Sequence, residues 1–427
     1  MPEFLKDMTL WSILEQVVFY SFLILYFWGG NNRFGKKNEF NTDFTSLEAM
    51  KSLRGFAALG VLLHHISQEE IFQKKQVLSA FVNAGAYFVA IFFFCSGYGL
   101  IKSLNTKKDY LKGFIRHRIV KAIVIPFYVN VLIYGLAMFI FKYQMPPQQW
   151  ICNLLGVTMM NVYAWFPIVL ALLYLVFFLC FRFIKNRPVC FAVMLLFIIG
   201  MGIGFCYNGH FAWWSGKENW WLGPEAMNAK WWQGQKVFWF SGEWWVNSAP
   251  AFFTGLVFAN YEKELTAFFS KLYALKFHIL LILTMIAYKL SQFGQMKFGY
   301  WTEYSGMGPG TAEKIKTYFC QVPLFLLLGL TIIIFMMKYH VSNPVTRFFG
   351  KYSLHTYLMN LMALESLRFI TMAPNFPIKT GIENRMFLYA VAVIALSVLL
   401  GVGEQKLTEL IQKLLFGKKK DTVQKTA

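Results

Sequence analysis

The chain has 427 residues, of which 57% are hydrophobic, 19% aromatic and only 15% charged, and its mean hydropathy is +0.46. A soluble globular fold cannot bury that much apolar surface, so the composition indicates a multi-spanning membrane protein in a lipid bilayer. The net charge of +20 comes from basic residues in short loops between apolar runs, which argues against a basic domain that binds nucleic acid.

Eleven apolar segments predict an all-α, multi-pass bundle of about 11 transmembrane helices. The first, Leu10 to Trp28, lacks the basic start and small-residue cleavage site of a signal peptide, so we predict that it is retained. A polar linker, 29–50, separates it from the other ten. Their predicted cores are 52–66, 78–101, 119–142, 162–183, 188–207, 237–259, 275–291, 316–337, 352–371 and 386–403.

The loops between these segments differ in charge. One set of alternate loops holds 25 Lys and Arg residues, and the opposite set holds 10. Because basic residues concentrate in cytoplasmic loops, this asymmetry predicts an N-terminus outside the cell and a C-terminus in the cytoplasm.

The segment Leu53–His65 combines an apolar helix with one arginine and a histidine pair. Titratable side chains are costly in a bilayer and are usually kept there for a task. Arg54 and His65 are eleven positions apart, a rotation of about 1100°, which is within about 20° of three whole helical turns. They therefore share one face of the helix, about 16 Å apart along its axis. His64 points about 100° away, which makes His65 the better candidate for the site that Arg54 serves.

Three charged residues of later segments fall in the predicted outer half of the membrane. Glu243 lies six residues into its segment, and Glu365 and Arg368 lie near the outer end of theirs. They are candidates to converge with His65 on one cavity, where Glu243 and Glu365 would bind a substrate. The alternative is that Glu365 and Arg368, three positions apart, pair with each other.

The predicted outer loop 208–236 and its flank are rich in tryptophan. Interfacial anchoring explains this pattern, and a platform for sugar rings is the alternative. The residues are Trp213, Trp214, Trp220, Trp221, Trp231, Trp232, Trp239, Trp244 and Trp245.

Several motifs of the chain resemble those of the acyltransferase-3 family. Its mark is a basic residue, ten residues of any kind and a histidine, as in Arg54 and His65. Four further stretches occur in the family's order: Phe93-Phe94-Cys95-Ser96-Gly97-Tyr98, Phe114–Ile119 followed by Lys121 and Pro126, Trp165-Phe166-Pro167, and Gly350–Leu358. Many members carry a second histidine three residues after the last tyrosine, where this chain has Asn360.

The resemblance implies a ten-helix acyltransferase domain at 47–404, between an extra helix and linker at 1–46 and a basic cytoplasmic tail at 405–427. It further implies transfer of an acyl group, usually acetyl, from acyl-coenzyme A to an envelope carbohydrate or other component in a bacterial inner membrane. We expect no metal, because the six scattered cysteines form no C-x-x-C and are typical of apolar helix positions.

The phosphates of coenzyme A require a basic cytoplasmic surface. Arg116, Arg118 and Lys121, together with Arg54, are the candidates to hold the nucleotide end or the pantetheine arm, because the guanidinium fork fits phosphate oxygens. Plain cytoplasmic charge is the alternative. Ser96 is a candidate hydrogen-bond donor to the donor substrate, or a small residue that permits close helix packing.

His65 is the predicted catalytic residue, as a general base on the acceptor hydroxyl or as a transient acyl carrier. His64 would orient it or simply pack. The alternative function is a transporter or flippase for a lipid-linked sugar, although no matching pair of broken helices favours it.

Overall fold

In the computed structural model the described residues form helices joined by turns and short connections, with no strand. The described residues are 17, 19–21, 23–24, 39–142, 147–155, 159–208, 246–299, 311–372 and 385–417. The α-helices are α1 Leu47–Ser67, α2 Glu70–Lys74, α3 Gly85–Thr106, α4 Ile125–Ile140, α5 Pro147–Leu154, α6 Trp165–Phe183, α7 Arg187–Asn208, α8 Pro250–Asn260, α9 Glu262–Ser270, α10 Tyr273–Phe298, α11 Thr311–Met336, α12 Pro344–Met372 and α13 Met386–Phe416.

Seven stretches of the described chain are long and apolar enough to cross a membrane. This confirms a multi-pass helical membrane protein but not the predicted count of eleven spans. The seven are Gly85–Thr106, Ile115–Ile140, Val162–Phe183, Arg187–Cys206, Tyr273–Phe298, Ala312–Met336 and Met386–Phe416.

The four other predicted spans are not among these seven stretches, each for its own reason. Helices α1 and α12 cover 52–66 and 352–371, but their polar and charged residues lower their hydropathy. Only Pro250–Asn260 of the span 237–259 is a described helix, and its 11 residues are too few to cross a bilayer alone. Most of the segment Leu10–Trp28 lies outside the described residues. The six residues of this segment that are described are all helical.

Two helix pairs approach so closely that only glycine fits at the crossing. A Cβ atom on Gly97 of α3 would lie 2.1 Å from the carbonyl oxygen of Phe252 on α8, and one on Gly255 would lie 2.2 Å from that of Phe94. A Cβ atom on Gly55 of α1 would lie 1.8 Å from the carbonyl oxygen of Thr346 on α12. Small residues permit such backbone contact in membrane bundles. The α1–α12 crossing brings the histidine helix onto the helix that carries Asn360.

The helix before α4 is not α-helical throughout. Residues Ile115–Val124 form a π-helix, in which backbone N–H groups bond to the carbonyl five residues earlier. The predicted span 119–142 therefore begins with π-helical residues and becomes α-helical at Ile125. π-Helical turns are rare and occur frequently at functional sites.

Candidate active site

A cavity of about 830 Å³ opens at the end of the bundle where α1 ends and α3 begins. Its walls come from α1, α3, α10, α11 and α12 and from the connections near residues 68, 83, 163 and 247. His64, His65, Glu365 and Arg368 all line it. The structure thus brings four of the residues singled out in the sequence around one space.

His65 is buried, at 8% exposure, and a chain of hydrogen bonds fixes its ring. Its Nδ1 lies 2.6 Å from Oδ1 of Asn360 on α12. The amide Nδ2 of Asn360 donates to Oγ of Ser397 on α13 at 3.1 Å, and Ser397 Oγ donates to the carbonyl of Val393 at 2.7 Å. Three helices therefore hold one imidazole.

This series of hydrogen bonds also determines the tautomer of His65. Ser397 has one hydroxyl proton and gives it to the Val393 carbonyl, so it can only accept from Asn360. Asn360 consequently turns its carbonyl oxygen, which only accepts, towards His65. Nδ1 of His65 therefore carries the proton, and Nε2 keeps its lone pair on a ring that lines the cavity.

Tyr163 holds the face of the same ring. The two rings stack with centroids 3.7 Å apart and an interplanar angle of 8°. The hydroxyl of Tyr357 donates to the backbone carbonyl of Tyr163, which ties the stacked residue to α12. The imidazole is thus fixed both in its plane and perpendicular to it, an arrangement that favours a reactive group held in one geometry.

His64 lines the cavity as well, and although helical spacing predicted that it points away from His65, the two ring centroids lie 5.3 Å apart. Its Nδ1 donates to the carbonyl oxygen of Phe81 at 2.9 Å. A Cβ atom on Gly85 would lie 2.4 Å from the His64 ring, so the ring packs on that glycine. His64 therefore fastens the connection 68–84 to α1, a positioning role.

Glu365 and Arg368 form the ion pair of one sequence hypothesis and also lie in the cavity with His65, as the other expected. They pair with each other, with Arg368 Nη1 3.0 Å from Glu365 Oε1, and both line the cavity with His65. Arg368 also pairs through Nη2 with Glu69 at 2.7 Å, a contact that the sequence did not predict. One cation between two carboxylates leaves this part of the wall with a net negative charge.

The other end of α1 carries a separate basic cluster. Arg54 and Arg118 both lie within electrostatic range of the Tyr174 hydroxyl, which hydrogen-bonds to Ser96. Arg118 Nη2 contacts Oγ of Ser103 at 3.4 Å. Nε of Arg54 is buried and has no hydrogen-bond partner among the described residues. Three of the predicted coenzyme-binding residues therefore lie in the neighbourhood of one tyrosine, Tyr174, which the sequence analysis did not single out.

Arg116 and Lys121 lie elsewhere on the π-helix. Their cationic groups stand over the ring of Phe416, at the end of α13, at 4.9 and 4.4 Å from its centroid. The two residues are five apart, which places them on one side of a helix with five-residue hydrogen bonding. The predicted basic set thus divides into a Tyr174 group and a Phe416 group.

Two predicted features lie outside the described residues. These are the candidate substrate residue Glu243 and the tryptophan-rich segment from Trp213 to Trp245.

A family profile described as an acyltransferase domain matches residues 47–403. The chain belongs to the acyltransferase-3 family. Comparisons with curated proteins and with solved structures gave no match. Family membership together with the apolar helices identifies a multi-pass membrane acyltransferase.

Membership in the acyltransferase-3 family gives the chain's departures a structural meaning. The resemblance led us to expect a second histidine at position 360, and the side-chain oxygen of Asn360 instead contacts His65 directly. Sequence reasoning treated Asn360 only as a missing histidine. Its position one helical turn beyond Tyr357 was the available signal.

This acyltransferase-3 chain also holds a buried acid–imidazole pair that the sequence analysis did not single out. His355 Nδ1 lies 3.3 Å from Oε2 of Glu404, and the two residues are 9% and 2% exposed. The pair joins α12 to α13 about one and a half turns from Asn360. Among the described residues, no group of three His, Cys, Asp or Glu side chains is arranged to hold a metal ion.

Proposed function

We propose that the protein transfers an acetyl or other short acyl group from cytoplasmic acyl-coenzyme A to a hydroxyl of a cell-envelope carbohydrate or lipid-linked saccharide. The setting is a bacterial inner membrane, with the N-terminus outside and the C-terminus in the cytoplasm, as the loop charges favour. The cavity with His65 then faces outwards and receives the acceptor.

The hydrogen-bond chain from His65 through Asn360 to Ser397 is the observation that carries this proposal, since it implies that Nε2 is unprotonated. Nε2, with its lone pair, takes the proton of the acceptor hydroxyl while the hydroxyl oxygen bonds to the thioester carbonyl carbon. The carbon–sulfur bond breaks, and the coenzyme A thiolate leaves and takes up the proton that Nε2 had accepted, which returns His65 to its neutral form. In the acyl-carrier alternative, Nε2 itself receives the acyl group before the acceptor does.

Charge separates the two substrates. The Arg54–Arg118 group supplies cations for the phosphates of coenzyme A, whereas the paired carboxylates Glu69 and Glu365 make the cavity unsuitable for them. The thioester therefore approaches His65 from the basic end, and the acceptor approaches from the opposite end. Arg116 and Lys121 would bind coenzyme A as well if their cationic groups moved away from the Phe416 ring.

The deciding experiment is release of coenzyme A from radiolabelled acetyl-coenzyme A by purified protein in nanodiscs, with and without an envelope extract. We expect release that depends on the extract, with label recovered in the extract in equal molar amount. Label crossing the membrane without cleavage of the thioester would favour the transporter alternative. Absence of both, from folded protein, would contradict the proposal.

Replacing Asn360 tests the orientation of His65. Asn360→Leu removes the acceptor for Nδ1–H, and we expect the transfer rate to fall about 100-fold because the imidazole loses its position and tautomer. Asn360→Asp keeps an acceptor oxygen and should retain activity within about tenfold of the unaltered protein. The KM for acetyl-coenzyme A should not change in either variant. Equal rates for the two variants would refute the positioning role.

Replacing Arg118 tests the donor site. Arg118→Ala should raise the KM for acetyl-coenzyme A about tenfold or more, because a charge-assisted hydrogen bond contributes about 1.5–3 kcal/mol. Lys108→Ala removes an exposed charge from the neighbouring loop and serves as the matched control. If the two variants change the KM equally, Arg118 contributes only general surface charge.

A further inference from the structure

Gln321, on α11, is a polar residue of the cavity that the proposed chemistry does not use. Its side chain is 1% exposed, and it lines the same space as His65. Neither Nε2 nor Oε1 has a hydrogen-bond partner within the described part of the chain. A primary amide can donate two hydrogen bonds and accept two, and buried amides are nearly always paired. Gln321 is therefore prepared for a ligand that brings both donors and acceptors.

Ser248, just before α8, is a second buried polar residue whose side chain lacks a hydrogen-bond partner among the described residues. It is 1% exposed and lines the cavity. A hydroxyl and an amide that are both buried and both unsatisfied require the same kind of occupant. An apolar acceptor group would leave them unpaired, which is costly.

One wall of the cavity continues this polar surface along α10. Tyr288, Ser291, Gln292 and Gln295 all line the cavity, and they follow the three- and four-residue spacing of a single helix face. The opposite face exposes apolar side chains such as Leu283 and Ile286, as lipid contact requires. An apolar helix with one polar stripe on the cavity side is typical of a solute-binding wall.

The charged residues of the cavity restrict the ligand further. Apart from the two histidines, the described lining contains the carboxylates of Glu69 and Glu365 and the guanidinium of Arg368. Arg368 already pairs with both carboxylates. A ligand carboxylate or phosphate would find no uncommitted cation in this lining and would meet a net negative charge.

We infer that the unit of the acceptor bound in this cavity is uncharged and polyhydroxylated, and that Gln321 and Ser248 bind its hydroxyl groups and determine acceptor specificity. This inference rests on the proposed function. Gln321 distinguishes a neutral sugar unit from an anionic one, since its amide offers hydrogen bonds but no charge.

The test uses the product rather than an assumed acceptor. Purified protein acylates a crude envelope extract with isotope-labelled acetyl-coenzyme A, and tandem mass spectrometry locates the label. We expect the label on an uncharged hydroxylated unit. Label on a uronic acid or a phosphorylated unit would overturn the inference. Absence of His65-dependent labelling would instead refute the proposed function, so the two failures are distinguishable.

Variants test the residues themselves. Gln321→Leu, and separately the smaller change Ser248→Ala, should raise the amount of extract needed for half-maximal rate about tenfold and leave the KM for acetyl-coenzyme A unchanged. Thr331→Val removes another buried polar group of α11, one that pairs with Thr284 away from the cavity, and is the matched control. If neither variant shifts the acceptor requirement more than this control, the assignment is wrong.

Discussion

A His65→Ala variant is expected to transfer acyl groups about 10² to 10⁴ times more slowly than the unaltered protein. This range is the usual contribution of a positioned general acid or base. The loss should fall on the rate at saturating substrates, because the basic cluster that would bind the donor lies about 16 Å away along α1. Initial rates of coenzyme A release and of label transfer, measured together, check the expectation.

Two other histidines make this experiment specific. His278 is exposed on α10 and bonds to the carbonyl of Ala274 in its own helix, so His278→Ala should retain full activity. His64→Ala removes the contact with Phe81 and should produce a smaller loss than His65→Ala. A His65→Ala protein that elutes and melts normally and still transfers acyl groups would remove His65 from the mechanism.

A Gly55→Ala variant is expected to lose about 3 kcal/mol or more of stability, at the upper end of the cost of overpacking. The added Cβ atom would lie 1.8 Å from the Thr346 carbonyl oxygen and 2.7 Å from the backbone nitrogen of Gly350. Both are backbone atoms, so relief requires α1 and α12 to separate. We expect a lower thermal midpoint in detergent and a reduced yield of monodisperse protein.

Gly99→Ala is the control for this change. Gly99 lies within α3, where a new Cβ atom would meet no atom within 4 Å. Alanine favours a helix over glycine by about 0.5–1 kcal/mol, so this variant should be as stable as the unaltered protein or slightly more so. Equal melting of the two variants would show that α1 and α12 cross less closely than described.

The sequence predicted those parts of the site that depend on spacing along one helix. The positions of Arg54 and His65 on α1 follow from helical geometry. The shared location of His65 and Glu365 followed from the predicted topology. These features require only local periodicity and the alternation of loops.

The remaining features depend on contacts between distant segments. Asn360 acquires its role only because α1 crosses α12, and Gln321 is an isolated amide in an apolar run whose missing partners cannot be seen in a sequence. The π-helical stretch Ile115–Val124 has no apolar period that distinguishes it from an α-helix. Tertiary packing, rather than local preference, decides each of these cases.

Helix α13 extends past the hydrocarbon core of a bilayer. Its 31 residues span about 46 Å, against a core about 30 Å thick. Ser397, about a third of the way along the helix, supports the residue that holds His65, and Phe416, at its C-terminal end, contacts the basic residues Arg116 and Lys121. One continuous helix is therefore long enough to reach both faces of the membrane. A break within it would disturb the His65 site and the basic residues beside Phe416 together.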